Sequence, residues 1–203
     1  NSVAHRHDGV EESVLQEPGD RSGVAGRRRI CLRRRVWNRQ RDVLGEVCIR
    51  ERTHAAAREI VEHGGSVIII PVDEQGNIWF VRQYRHATGK HLLELPAGTR
   101  DGDEPFEDCA AREIREETGM EAGRLVKIGE FYLAPGYSTE FMGIFLATDL
   151  KHNPLAPDAD EILHVEKFPV LQAIEMAERG EVPDAKSLAA LLLARPYLEK
   201  FIG

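Results

Sequence analysis

Residues 110–120 read AAREIREETGM, and five charges crowd into positions 112–117. Three are glutamates, Glu113, Glu116 and Glu117, at i, i+3 and i+4. On a helix that spacing puts all three carboxylates on one face. Phe106, Ala110 and Ile114 share another face, suited to burial against a core. Like charges at helical spacings oppose each other by about a few tenths of a kcal/mol per pair. One reading is a solvated helix face, but such a face tends to interleave lysine, and no basic side chain is expected to neutralise this one. The other is a hard divalent cation held by oxygen ligands, with Mg²⁺ the usual choice where a substrate carries phosphates.

The surrounding spacing separates the two readings. From Gly98 run five residues, Glu104, seven residues, then Arg112, Glu113, Ile114, any residue, Glu116, Glu117, any residue, Gly119 and Met120. Nine positions are specified, and a chance match at a given start is on the order of one in a billion at average composition. The stretch resembles the signature box of the Nudix hydrolases, without a departure. That resemblance implies a loop–helix–loop carrying Mg²⁺ or Mn²⁺. It implies Glu113, Glu116 and Glu117 as ligands, with the carbonyl of Ala97 as a further one, and it makes Glu116 and Glu117 catalytic through the metal. Gly98, Glu104, Arg112 and Gly119 take structural roles, with Glu104 and Arg112 bracing the loop against the helix.

Outside the box, VRQYR (81–85), LLELPAG (92–98), APGYSTE (134–140) and DAKSLAALLLA (184–194) resemble the ADP-ribose pyrophosphatase branch, and the likeness spans about residues 58–198. It implies Arg85 as a diphosphate or ribose contact, Arg82 beside it, Glu94 as a further site carboxylate and Pro135 in a substrate loop. Glu140 would reach the metal cluster and activate water. Each has a plainer alternative: polar residues on a sheet face, an ordinary Pro-Gly turn, a solvent-facing acid. Trp37 would stack on adenine from an N-terminal strand that crosses to a partner subunit, or else it is a packing residue. Tyr137 falls where diadenosine-polyphosphate hydrolases carry an adenine-stacking tyrosine.

The implied activity is Mg²⁺-dependent hydrolysis of ADP-ribose to AMP and ribose 5-phosphate, with some activity on related ADP-sugars, by a homodimer. The alternatives are a diadenosine-polyphosphate or other nucleoside-diphosphate-linked hydrolase, and a ligand-sensing module without turnover. Intact glutamates argue against the last.

These residues need elements to hold them. A helix is expected from about Pro105 to Thr118, with Asp103 as its N-cap, Pro105 in its first turn and Gly119 as its stop. SVIIIPV (66–72), the turn DEQGN and IWFVRQYR (78–85) look like a hairpin. Further strands are expected at 91–95, 124–133, 140–150 and 161–168, then helices at about 170–179 and 185–199. Strands on both sides of a central helix, with helices closing the chain, give an α/β fold, a Nudix-type α/β/α sandwich with a mixed sheet. Residues 1–26 read as a largely disordered tail, 27–57 as a small dimer-forming N-terminal β segment, and 58–203 as the hydrolase domain.

Net charge is −7, but residues 1–52 hold twelve arginines against eight acids, while the rest holds 15 bases against 26 acids. The arginine clusters at 27–29 and 33–35 lack interleaved aromatics and the main body is acidic, so no nucleic-acid partner is expected. Three irregularly spaced cysteines make neither a disulfide framework nor a zinc site. No membrane span and no secretory signal are recognisable, and a reducing cytoplasm is the expected location.

Overall fold

The structure is a computed structural model. It describes residues 60–156 and 162–202 in full and, ahead of them, only the backbone of short strands. Trp37 and, apart from Glu12–Ser13, the tail expected at 1–26 lie outside the described residues. Two compact units form, residues 1–63 with 134–140, and residues 64–133 with 141–203.

In the first unit, β1 (Glu12–Ser13), β2 (Ile30–Val36), β3 (Val43–Glu51) and β4 (His54–Ala56) pair antiparallel in that order, and β5 (Glu59–Glu62) also pairs with β3. The 134–140 loop is tied to β5 on both sides of Val61. Val61 N–H donates to Tyr137 O at 2.7 Å, and Thr139 N–H to Val61 O at 2.9 Å.

The second unit holds β6 (Ser66–Pro71), β7 (Asn77–Arg85), β8 (Lys90–Glu94), β9 (Ala97–Thr99), α1 (Phe106–Thr118), β10 (Met120–Tyr132), β11 (Phe141–His152), β12 (Leu163–Pro169), α2 (Val170–Glu178) and α3 (Ala185–Leu198). A four-stranded sheet runs β10-β11-β6-β9, with β11 parallel to β6 and the other pairs antiparallel, so it is mixed. A second, antiparallel sheet runs β12-β7-β8.

β6 is buried along its whole length. Side chains alternate across a strand, so its residues divide between two cores. Val67 and Ile69 pack with Cys109, Ala110 and Ile114 of α1, and Phe106 leans on the same cluster. Ile68 and Ile70 pack with Leu191 and Ala194 of α3 and Ile174 of α2. Helix, sheet and helix are therefore layered as an α/β/α sandwich. Among the described residues no helix is long and apolar enough to cross a membrane.

Two local expectations need correction. β6 and β7 are not a ladder-paired hairpin. They belong to different sheets and share one bridge, Val72 with Ile78. The turn is as tight as a hairpin turn, with Asp73 Oδ1 accepting from Gln75 N (3.1 Å) and Asn77 N (2.8 Å). β6, however, already takes β11 on one edge and β9 on the other, so β7 turns away to β8 and β12. Nor does Asp103 cap α1. Pro105 occupies the N-cap position without a side-chain cap bond. Glu104 N–H donates to Asp101 O at 3.1 Å, which closes residues 101–104 into a turn and places Asp103 inside it.

Candidate active site

The helix that carries the glutamates is fixed at its exit by Gly119. Gly119 has φ +73°, and its N–H donates to Arg115 O at 3.1 Å. A left-handed residue costs glycine little, and it satisfies one of the last carbonyls. Glu107 and Asp108 in the first turn suit the positive end of the helix dipole.

The sheet meets this helix at β9. Gly98 pairs with Val67, whose side chain faces α1, so a side chain at 98 would point at α1 as well. A Cβ built there would overlap the Glu113 carboxylate. The glycine of the box is therefore a steric requirement of Glu113. One turn on, Glu117 Oε2 accepts from Ala97 N–H at 3.1 Å. Glu113 and Glu117 are buried, at 8% and 6% exposure, and Glu116 is half-buried.

Arg112 threads through these acids. Its Nε and Nη2 donate to Glu104 Oε1 (3.2 Å) and Oε2 (2.9 Å), and Nη2 also reaches Thr99 O at 3.2 Å. Nη1 donates to Glu113 Oε1 at 2.7 Å and to Glu116 Oε2 at 2.9 Å. The loop, β9 and α1 are tied together by one guanidinium. The Glu104 carboxylate, chelated by Arg112, is held below the usual carboxylate range, with burial opposing. Arg112 is raised by the same pairing. Burial pushes the neighbouring Cys109 thiol up to about 12.

The expectation that no base would neutralise the glutamate face is thus corrected. Arg112 lies i−4 to Glu116, and its side chain is long enough to reach both Glu113 and Glu116. One guanidinium against Glu104, Glu113, Glu116 and Glu117 still leaves the cluster strongly negative. Among the described residues no three His, Cys, Asp or Glu side chains already stand around a common metal position. The donor set nevertheless suits a hard divalent cation: three carboxylates on one helix face, beside the backbone of Ala97.

A second charged group is built from β7, β8 and the start of α3. Glu94 is almost fully buried, at 1% exposure. Arg85 grips it with Nε to Oε1 at 2.8 Å and Nη2 to Oε2 at 2.7 Å, and Lys186 Nζ also donates to Oε2. Burial opposes ionisation of Glu94, but Arg85 and Lys186 outweigh it and hold its pKa below the usual carboxylate range. Arg85 is raised chiefly by its bonds to Glu94, and the fields of Asp184 and Glu117 add to the effect. The Glu117 contribution links this group electrostatically to the box.

Arg82 lies on the same strand but is engaged elsewhere, with Nε to Glu166 Oε1 at 2.5 Å and Nη2 to Oε2 at 3.2 Å. Pro135 and Glu140 belong to the first unit, where Glu140 N–H donates to Ser138 Oγ at 3.1 Å. Neither Lys186 nor Glu166 stands out as a site residue in the sequence. Lys186 sits in DAKS, where Asp184 caps α3 by accepting from Ser187 N at 3.0 Å, so a helix-start signal was present. Glu166 meets Arg82 only through the β12–β7 register, which no local pattern announces.

Comparison with known proteins gives a consistent picture. Residues 62–191 match the model of the NUDIX domain. The chain is 39% identical over 138 residues to an ADP-ribose pyrophosphatase of Mycobacterium tuberculosis, covering 66% of this chain and 67% of that one. It is 37% identical over 139 residues to an ADP-ribose pyrophosphatase of Bacillus subtilis, covering 68% and 75%. A GDP-mannose pyrophosphatase of Citrobacter koseri is 35% identical over 144 residues, covering 66% and 75%. In three dimensions the chain is similar to a crystal structure of an ADP compounds hydrolase, with TM-score 0.69 and 23% identity over 93% of this chain and 95% of that one. That last likeness is one of fold.

Proposed function

The chain belongs to the NUDIX family of pyrophosphate hydrolases, and we propose that its substrate is ADP-ribose, split with Mg²⁺ (or Mn²⁺) to AMP and ribose 5-phosphate. The observation that carries the proposal is the charge arrangement: a negative glutamate face on α1 and, in the same compact unit, the half-exposed guanidinium of Arg85. The first suits a cation and the second a phosphate oxygen, which is what a diphosphate needs on its two sides.

Glu113, Glu116 and Glu117, with the carbonyl of Ala97, would hold the cation. When bound, it supplies charge neutralisation on the phosphate oxygens and a water of lowered pKa. The chain's own residues do the rest. Arg112, clamped to Glu104, keeps Glu113 and Glu116 aligned on the helix while their charge is only partly offset. Arg85, aimed by Glu94, binds the diphosphate, and Arg82 stands on the same strand as a weaker contact. Glu140 takes the proton of the attacking water. The water oxygen bonds to one phosphorus, and the bridging P–O bond breaks with its electrons on the leaving phosphate. Pro135 shapes the loop before Glu140, and Trp37 stacks on adenine.

A wider range of sugar nucleotides is favoured by the GDP-mannose pyrophosphatase among the relatives. A panel of ADP-ribose, ADP-glucose, GDP-mannose, diadenosine polyphosphates, NADH and nucleoside triphosphates with Mg²⁺, read for products by chromatography, tests the choice. The highest kcat/KM on ADP-ribose, with AMP released, is expected. A higher value on GDP-mannose or on diadenosine polyphosphates would overturn it.

A further inference from the structure

Glu94 poses an electrostatic problem for the residue beside it. It is a buried carboxylate that accepts both bonds of a bidentate Arg85. Such a pair is close to charge-neutral, and a neutralised guanidinium attracts a diphosphate poorly. Yet Arg85 keeps 39% of its side chain exposed, while the Glu94 side chain keeps 2%. Among the described residues, Nη1 of Arg85 makes no hydrogen bond.

A second cation on Glu94 comes from α3. Lys186 is almost as buried as Glu94, with 11% of its side chain exposed. Its ammonium donates to Glu94 Oε2 and lies 2.9 Å from Asp184 Oδ2. A buried lysine is costly unless paired and held, and this one is held on both sides. Its place is set by the start of α3. Asp184 Oδ2 accepts from Ser187 N at 3.0 Å and from Ser187 Oγ at 2.5 Å, and Ser187 Oγ in turn accepts from Leu95 N–H at 2.8 Å. The helix start is thereby fastened to the chain next to Glu94.

We propose that Lys186 is a positioning residue for substrate binding. By sharing the charge of Glu94, it leaves the exposed guanidinium of Arg85 less neutralised where it meets the diphosphate. This rests on the reading of Arg85 as the diphosphate contact. Arg85, Lys186, Glu94 and Asp184 sum to zero; without Lys186 the group carries a net negative charge beside Glu117. An anionic substrate then meets a net repulsion that the neutral group does not impose.

The test is a set of steady-state measurements on the full chain with ADP-ribose at saturating Mg²⁺, with thermal unfolding run in parallel. Lys186→Met is expected to raise KM on the order of ten-fold, the effect of one charge removed a few ångströms beyond Arg85, with kcat within about two-fold. Lys186→Arg, which keeps the charge, is expected to recover most of the loss. In a Glu94→Gln background the same Lys186→Met change is expected to raise KM far less, because the charge it shares is gone. If Lys186→Met lowers the yield of folded protein, Lys186→Gln carries the same comparison. An unchanged KM, a fall confined to kcat and melting temperature, or an equal KM rise in the Glu94→Gln background would each overturn the proposal. Arg85→Ala separates it from the reading beneath it. An Arg85→Ala enzyme with normal KM overturns the diphosphate contact itself, whereas a raised KM there with a silent Lys186→Met overturns only the role of Lys186.

Discussion

Glu113 and Gly98 constrain each other: the carboxylate occupies the volume a side chain at 98 would need. Gly98→Ala is therefore expected to destabilise the fold by about 1–3 kcal/mol, the usual range for overpacking. It should also lower turnover on the order of ten-fold or more by displacing a site carboxylate. Urea unfolding and kcat together check this, and a stable, fully active Gly98→Ala protein would show that the carboxylate has room to move. Glu94 and Glu104 supply a pH dependence. Both have folded pKa values depressed below the unfolded value, so their stabilisation is present above about 4.5, the ordinary glutamate value, and is lost as pH falls through the folded values. Melting temperature should fall as pH is lowered from about 5 to 3, and less steeply for Glu104→Gln; parallel curves would contradict the assignment. At this scale the box was legible because nine positions fall at set spacings. The reach of Arg112 and the Lys186–Glu94 pair were not, since long flexible side chains choose partners only after the backbone is placed.

The elements follow period and punctuation where those are strong. α1 and its Gly119 stop, the apolar run of β6 and the span of α3 were all readable from residue order. The β6–β7 hairpin was misread because a turn signal says where the chain reverses, not which strand becomes the neighbour. Competition from β11 and β9 for the edges of β6 decided that. The Asp103 cap was misread because Asp101 and Glu104 closed a turn around it. The stop itself can be tested cleanly. A Cβ at Gly119 would meet only Pro154 Cβ, at 3.7 Å, an ordinary contact, so any cost of Gly119→Ala comes from its φ of +73°. The expected loss is about 1 kcal/mol, read by denaturant unfolding. No loss would mean that the helix end can rearrange without a left-handed residue.

For the molecule as a whole, the α/β/α layering followed from alternating strand and helix signals, while assembly belongs to long-range contacts that a single chain's periodicity does not encode. We propose a homodimer in which the strands of residues 27–57 cross between subunits. Light scattering of the full chain should give a dimer and of a chain starting at Arg58 a monomer of reduced activity; a fully active, stable monomer from the shorter chain would contradict it. We propose that the α1 glutamates carry metal-dependent pyrophosphate hydrolysis. It is tested most directly by the turnover of ADP-ribose by the wild-type chain and by Glu117→Gln, with Mg²⁺ and with excess chelator, alongside circular dichroism. Expected are AMP release that chelator abolishes, and a folded Glu117→Gln protein slowed by on the order of 10²-fold or more, the size of effect that follows loss of one preorganised charge at a reacting phosphate. Near-normal turnover by a folded Glu117→Gln protein, or AMP release that chelator leaves untouched, would contradict the ligand role and leave the buried glutamates with a structural one.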